Sequence, residues 1–358
     1  MPQFKTGKVE RILQERTGLQ RVEVVLDGNP ERAYVLTQLT GRVDLGDSVV
    51  VNTTAVDLGL GTGGWHVVHW NLARDAWSEV GPGHIMKARY TSLQTDTGSA
   101  EEHWAELADI TSIDGMPVVA AALHSQVPAV AAAFKRARPD ATLAYVMTDG
   151  AALPLALSDL VAAMRERAMI DATITCGHAF GGDHEAVSVY SALAVAKHVV
   201  HADATVVAMG PGIVGTASRL GFSGIEVGPI LDAAIGLAGV PIACLRVSFA
   251  DPRPRHRGLS HHSATALSIA TRGRALIPLP TVGGEEEQIL RADLETAGLT
   301  DRHELIDVPP VGIIDLFEQH DLAVVSMGRP AAEDPVLFEA AAAAGTVAAT
   351  NIATGQIP

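Results

Sequence analysis

The chain has 358 residues, 47% of them hydrophobic, enough to bury a full core in two domains or in one large domain with an appendage. Its 41 acidic residues against 26 basic ones leave a formal net charge of −15, which sets aside DNA, RNA and anionic membranes as main partners because those surfaces repel an acidic protein. Two cysteines, Cys176 and Cys244, each inside an apolar run, exclude a disulfide framework and a thiolate zinc cluster, and the absence of an apolar signal core or a run of roughly 18 apolar residues leads us to expect a soluble cytoplasmic protein.

In chain order, Arg21–Leu26, Arg32–Leu39, Ser48–Thr53 and Trp65–Trp70 alternate or run β-branched, separated by Asp27-Gly28, Gly41 and Gly59–Gly64. That pattern predicts a small antiparallel barrel or sandwich. All four tryptophans (Trp65, Trp70, Trp77, Trp104) lie in the first third, and the composition change after them places a domain boundary near residue 105, dividing the chain into 1–105 and 106–358. Beyond it, buried strands are expected at Val118–Leu123, Thr142–Met147, Ala172–Cys176, Ala204–Met209, Ile242–Phe249, Ala275–Leu279, Glu304–Val308, Leu322–Ser326 and Thr346–Asn351. Helical spacing recurs between them in Leu155–Arg167, Ala186–His201, Pro229–Ala238, Glu286–Ala297 and Pro335–Ala344. Wholly apolar strands alternating with helices predict an α/β domain, a doubly wound and mostly parallel sheet, behind a smaller all-β barrel-like N-terminal domain.

A parallel sheet sends all its carboxyl ends to one edge, so residues just past the strands can converge there. The densest candidate is Arg253-Pro254-Arg255-His256-Arg257-Gly258-Leu259-Ser260-His261-His262, with Asp251 just before it. Imidazoles suit a divalent metal, and guanidiniums suit a phosphate or carboxylate. His178, Asp183, His184, His261 and His262 are therefore candidate metal ligands, and Arg253, Arg255 and Arg257 candidate substrate clamps. Asp149, Asp251 and His256 are candidate general bases or acids. Asp183 also reads as a helix N-cap, and Ser260 as either a nucleophile or the cap of a helix over Ala264–Ile269.

Gly210-Pro211-Gly212-Ile213-Val214-Gly215 follows a strand and satisfies G-x-G-x-x-G, with Thr216 and Ser218 as extra donors. Proline between the glycines and Gly221 and Gly224 beyond them argue against a nicotinamide site, which leaves a phosphate cradle or a packing turn. Gly59–Gly64 with His66 carries no lysine, so it is a hairpin linker or a lid rather than a Walker loop.

Asn52-Thr53-Thr54-Ala55, Gly59–Gly64, Tyr90-Thr91, Asp149–Pro154, Gly210-Pro211-Gly212 with Gly215-Thr216, and Arg257–His262 together resemble an uncharacterised bacterial family catalogued as domain of unknown function 3866. The resemblance implies no reaction, cofactor or site. The residues favour a metal-assisted hydrolase of a small anionic substrate at the sheet rim, against a metal-free nucleotide- or phosphate-binding protein and a non-catalytic interaction protein. Homo-oligomerisation is compatible with all three.

Overall fold

The computed structural model describes residues 1–60 and 63–352, so Gly61 and Thr62 of the glycine-rich Gly59–Gly64 segment lie outside the described residues. The chain divides into two compact units, Met1–Gly98 and Ser99–Pro358. Trp104, one of the four tryptophans behind the expected boundary, belongs to the second unit, where its ring meets His184 edge-on at 5.2 Å.

In the first unit, β1 (Phe4–Arg16), β2 (Leu19–Leu26), β3 (Asn29–Leu36), β4 (Ser48–Asn52) and β5 (Trp65–Asn71) close a barrel in the order β1-β2-β3-β5-β4. All neighbours are antiparallel except β3 and β5, which pair in parallel from Arg32 opposite Trp65. Asp27 and Gly28 both take positive φ, 51° and 83°, and join β2 to β3 by the two-residue turn whose twist matches the flanking strands. Val9, Val22, Val24, Val35, Val49 and Val51 fill the barrel from alternate strand positions. The longest strand, β1, was not expected from sequence: only Gly7 and Val9 of its thirteen residues are buried, so its pattern carries little alternation.

The second unit is built on eight strands: β6 (Pro117–Ala121), β7 (Leu143–Thr148), β8 (Ala172–Thr175), β9 (His184–Glu185), β10 (Ala204–Met209), β11 (Val240–Cys244), β12 (Leu276–Pro280) and β13 (Glu304–Val308). Their order is β9-β8-β7-β10-β6-β11-β12-β13, and every neighbouring pair is parallel. The central strands are buried on both faces, which is why they read as mostly apolar runs without alternation. Helices α1 (Val127–Ala137), α2 (Asp159–Glu166), α7 (Ile313–Gln319) and α8 (Pro335–Thr350) cover one face with Val119, Tyr145 and Val206 of the sheet. Helices α3 (Val189–His198), α4 (Val227–Gly236) and α6 (Gly284–Thr296) cover the other with Val118, Val146 and Val207, and a short α5 (His261–Thr265) precedes Ala266–Ala270, a single π-helical turn. The fold is thus an α/β sheet wound on both faces, preceded by a closed barrel.

Several expected elements differ. Thr346–Asn351 is not a strand but the end of α8. The β-branched residues suggested extended chain, yet the hydroxyls of Thr346 and Thr350 return to the carbonyls of Ala342 and Val347, and the alanine-lined packing site selects a helix. Leu322–Ser326 contributes only Val325–Ser326, paired antiparallel with Arg329–Pro330 outside the main sheet. The run Ile242–Phe249 stops as a sheet strand at Cys244, and Val247–Ser248 pairs instead with Gly258–Leu259. Helices α1 and α7 were unforeseen, α1 because its core-facing stripe is mostly alanine.

Candidate functional site

Past the end of β11 the chain builds a closed loop. The antiparallel pair Val247–Ser248 with Gly258–Leu259 ties residues 249–257 into an excursion that returns directly into α5. Ser260 caps α5, its Oγ accepting from the His262 backbone N–H at 3.2 Å. Capping sets the start of the helix, so His261 and His262 begin its first turn and meet His256 from the loop. Ring centroids lie 4.9 Å apart for His256 and His261, 4.9 Å for His256 and His262, and 4.4 Å for His261 and His262.

One candidate ligand atom from each of these three histidines falls within 4.8 Å of the others, and this is the one such group of three or more His, Cys, Asp or Glu among the described residues. His256 Nδ1 lies 2.7 Å from Ser260 Oγ, and His262 stacks flat on Phe222 with centroids 4.0 Å apart. The His261 Nε2 atom is buried and has no hydrogen-bond partner among the described residues. Burial first, then the positive charge of Arg246, lowers His256 and His262 to about 3; burial and Arg255 lower His261 as well. All three rings are accordingly neutral at neutral pH, the form in which an imidazole ligates a metal.

Beneath the rings lies a buried ionic network. Asp251 meets Arg253 Nη2 at 2.7 Å, Arg246 Nη2 at 3.3 Å and Arg329 Nη2 at 3.5 Å, and Arg329 also pairs with buried Asp334 at 3.0 Å. Ser248 Oγ donates to Asp334 and accepts from the Asp251 backbone N–H. Burial alone would raise the Asp251 carboxyl, but the hydrogen bonds and charge of Arg253, with Arg246 behind, hold it well below the usual carboxylate range. A carboxylate so stabilised is a weak proton acceptor at neutral pH. Burial lowers Arg246 to about 10, still fully charged, and its Nη1 lies 3.4 Å from His262 Nδ1.

The other candidates fall elsewhere along the edge. Asp183 is exposed and caps no helix: its carboxylate pairs with Arg165 at 2.6 Å and accepts from the backbone and hydroxyl of Thr173. The chain continues from it as β9, and α3 is capped by Ser188 instead. His184 lies in β9, where burial lowers its pKa. Asp149, at the end of β7, accepts from the His178 backbone N–H at 2.9 Å, so Asp149 and His178 meet each other.

The Gly210–Gly215 loop does not lead directly into a helix. It is closed by a bridge between Gly215 and Phe222 and enters a 3₁₀ turn, Ser223–Glu226. Gly210 has no room for a side chain against the Ala152 carbonyl, whereas Gly212, at φ 104°, faces open space. Thr216 hydrogen-bonds within the loop to Ser218 and Gly221. Gly215 nonetheless lies against the histidines, since a Cβ there would sit 3.8 Å from His262 Nε2.

Two residues with perturbed chemistry escaped sequence reading. Arg246 is an isolated arginine in an apolar run, and only the fold gathers it with Asp251. Glu226 precedes α4 but does not cap it; its carboxyl turns to Thr148, which donates at 2.6 Å. Burial, reinforced by the charge of Asp149 and opposed by the Thr148 hydrogen bond, pushes Glu226 up to about 7 from an ordinary 4.5. The unfolded chain ionises this group near 4.5 and the native one near 7, so its stabilising contribution is complete below pH 4.5 and lost as pH rises through 7. Glu226→Gln is therefore expected to gain roughly 2–3 kcal/mol at pH 8 and little at pH 4. Urea unfolding at the two pH values checks it, and an equal effect at both would refute the assignment.

A third buried cluster lies past β6. His124 contacts Ser158 Oγ through Nε2 at 2.7 Å and the Tyr145 hydroxyl through Nδ1 at 3.1 Å. Burial lowers this histidine to about 4, and Ser158 also caps α2, so the three rigidify the fold beside the edge.

Fold and site together define an α/β protein that carries a polyhistidine and arginine loop at the carboxyl edge of a parallel sheet. The chain belongs to the family described as protein of unknown function (DUF3866), whose sequence pattern matches residues 32–345. No curated protein matches the chain. Among the described residues no helix is long and apolar enough to cross a membrane.

Proposed function

We propose that the second unit is an enzyme that holds a divalent metal on His256, His261 and His262 and hydrolyses a small anionic substrate beside it. The observation that carries the reading is the convergence of three neutral imidazoles, one with a buried nitrogen that lacks a partner among the described residues. A buried polar atom left unsatisfied costs about 1–3 kcal/mol, and a ligand to that atom removes the cost. Three imidazoles leave positions open for water and substrate on a bound zinc-like ion, which would supply Lewis acidity there. Arg253, with Arg246 and Arg329 around Asp251, keeps positive charge under the site and favours an anion. Asp251 serves in this reading as the anchor of those arginines rather than as the base. Glu226 and Asp149, farther along the edge, are the carboxylates suited to proton transfer, Glu226 because it titrates near neutrality.

Plasma mass spectrometry of untagged protein purified without chelator is expected to find about one metal ion per chain, lost in His261→Ala/His262→Ala. Metal-free wild-type protein would end this reading.

One contact favours a second reading. A guanidinium only donates, so the Arg246 contact to His262 Nδ1 leaves the ring proton on Nε2, a donor suited to an anion. In that case the loop is a metal-free phosphate site, and anion binding survives exhaustive chelation.

A further inference from the structure

An open cavity of about 670 Å³ adjoins the histidines, with His261 in its wall. That volume lies within the range of sites for small organic ligands and far exceeds the need of a bare inorganic anion. Arg219, Arg255 and Arg257 reach the cavity, and among the described residues none of the three forms an ion pair or side-chain hydrogen bond. In a chain with 41 acidic residues against 26 basic ones, three arginines that line one cavity without an acidic partner mark a place kept for an external anion.

The rest of the lining is of a different kind. Thr265, Ser268 and Thr296 bring hydroxyls, and Asp293 brings a carboxylate whose Oδ2 is occupied by the Leu259 backbone N–H at 2.9 Å, leaving Oδ1 to accept. Among the described residues, no aromatic residue other than His261 lines the cavity. A nucleobase would find only the His261 ring to stack on, whereas a hydroxylated body would find both donors and acceptors.

We propose that this cavity binds a phosphorylated polyol or sugar, with its phosphate on Arg219, Arg255 and Arg257 and its hydroxyls on Asp293, Thr265, Ser268 and Thr296. The proposal rests on the reading of the histidine cluster as the reacting centre, since His261 belongs to both. It names the substrate class for that centre: a phosphate ester, whose hydrolysis takes up one water and yields the free polyol and inorganic phosphate.

Calorimetric titration of the full chain with glycerol 3-phosphate, ribose 5-phosphate and glucose 6-phosphate tests it, against glucose, inorganic phosphate and adenosine monophosphate. At least one phosphorylated polyol is expected to bind about tenfold or more tightly than phosphate, than its unphosphorylated counterpart and than the nucleotide. Arg255→Gln/Arg257→Gln is expected to lose that binding about tenfold or more, with the melting transition and metal content unchanged. If phosphate alone binds as tightly as all three esters, if none binds, or if the nucleotide binds best, the proposal is overturned whatever the metal content. A metal-free protein that still prefers a sugar phosphate would instead overturn the metalloenzyme reading and leave this one standing.

Discussion

Asp251→Asn is expected to lower the stability of the second unit by about 3–5 kcal/mol. The carboxylate is fully buried and is the counter-charge that Arg246, itself buried, shares with Arg253 and Arg329. Removal of one partner from a buried ion pair leaves uncompensated charge in a poorly solvated place, a far larger penalty than the net value of the pair. Asparagine keeps the shape and removes the charge, so the loss reports electrostatics rather than a cavity. Chemical denaturation followed by circular dichroism should show a lower midpoint with an unchanged slope, and the loss should barely respond to salt because the groups are shielded. A loss below about 1 kcal/mol would mean that water reaches the network and that the arginines need no internal counter-charge.

Gly345→Ala is expected to destabilise by about 2 kcal/mol or more, although alanine is the better helix former by about 1 kcal/mol. Gly345 lies inside α8, and a Cβ there would overlap the backbone carbonyl of Val130 in α1. Neither helix can yield easily, because Ala341, Ala342, Ala344 and Ala348 of α8 are buried in one core cluster with Val130, Ala131 and Phe134 of α1, and cores of this kind are close-packed. The substitution must therefore push apart two helices whose contact depends on small residues. The thermal midpoint measures it. An unchanged or raised midpoint would show that the propensity gain prevails and that the interface has slack.

The parts of the fold that were legible are those where one local signal dominates. Strands β6, β7 and β10 are buried at every position and mostly apolar because both faces are covered, and Asp27-Gly28 names its turn because few residues tolerate two positive φ angles. The illegible parts are those where tertiary packing overrules local preference, as in the threonine-rich end of α8, or where alanine hides amphipathicity, as in α1. At the site, sequence singled out the loop through its density of charge and imidazole. It grouped His261 and His262 with His178, Asp183 and His184, whereas the fold closes a loop that brings His256 to them, and Asp183 is engaged with Arg165 and Thr173. No periodicity could announce Arg246 or Glu226, because each acquires its character from neighbours remote in sequence.

The all-parallel sheet has a kinetic counterpart. In the barrel unit β1, β2 and β3 are successive and joined by tight turns, so their pairings can zip locally. In the sheet, no two neighbouring strands meet through a hairpin, and β10 inserts between β6 and β7 only after β8 and β9 have been synthesised. Pairings of that kind pay the entropy of long loop closure before any contact rewards it. The two units therefore mature on different clocks, and while the slot between β6 and β7 awaits β10, two apolar strand edges stand open, which makes that interval the chain's time of greatest exposure to aggregation.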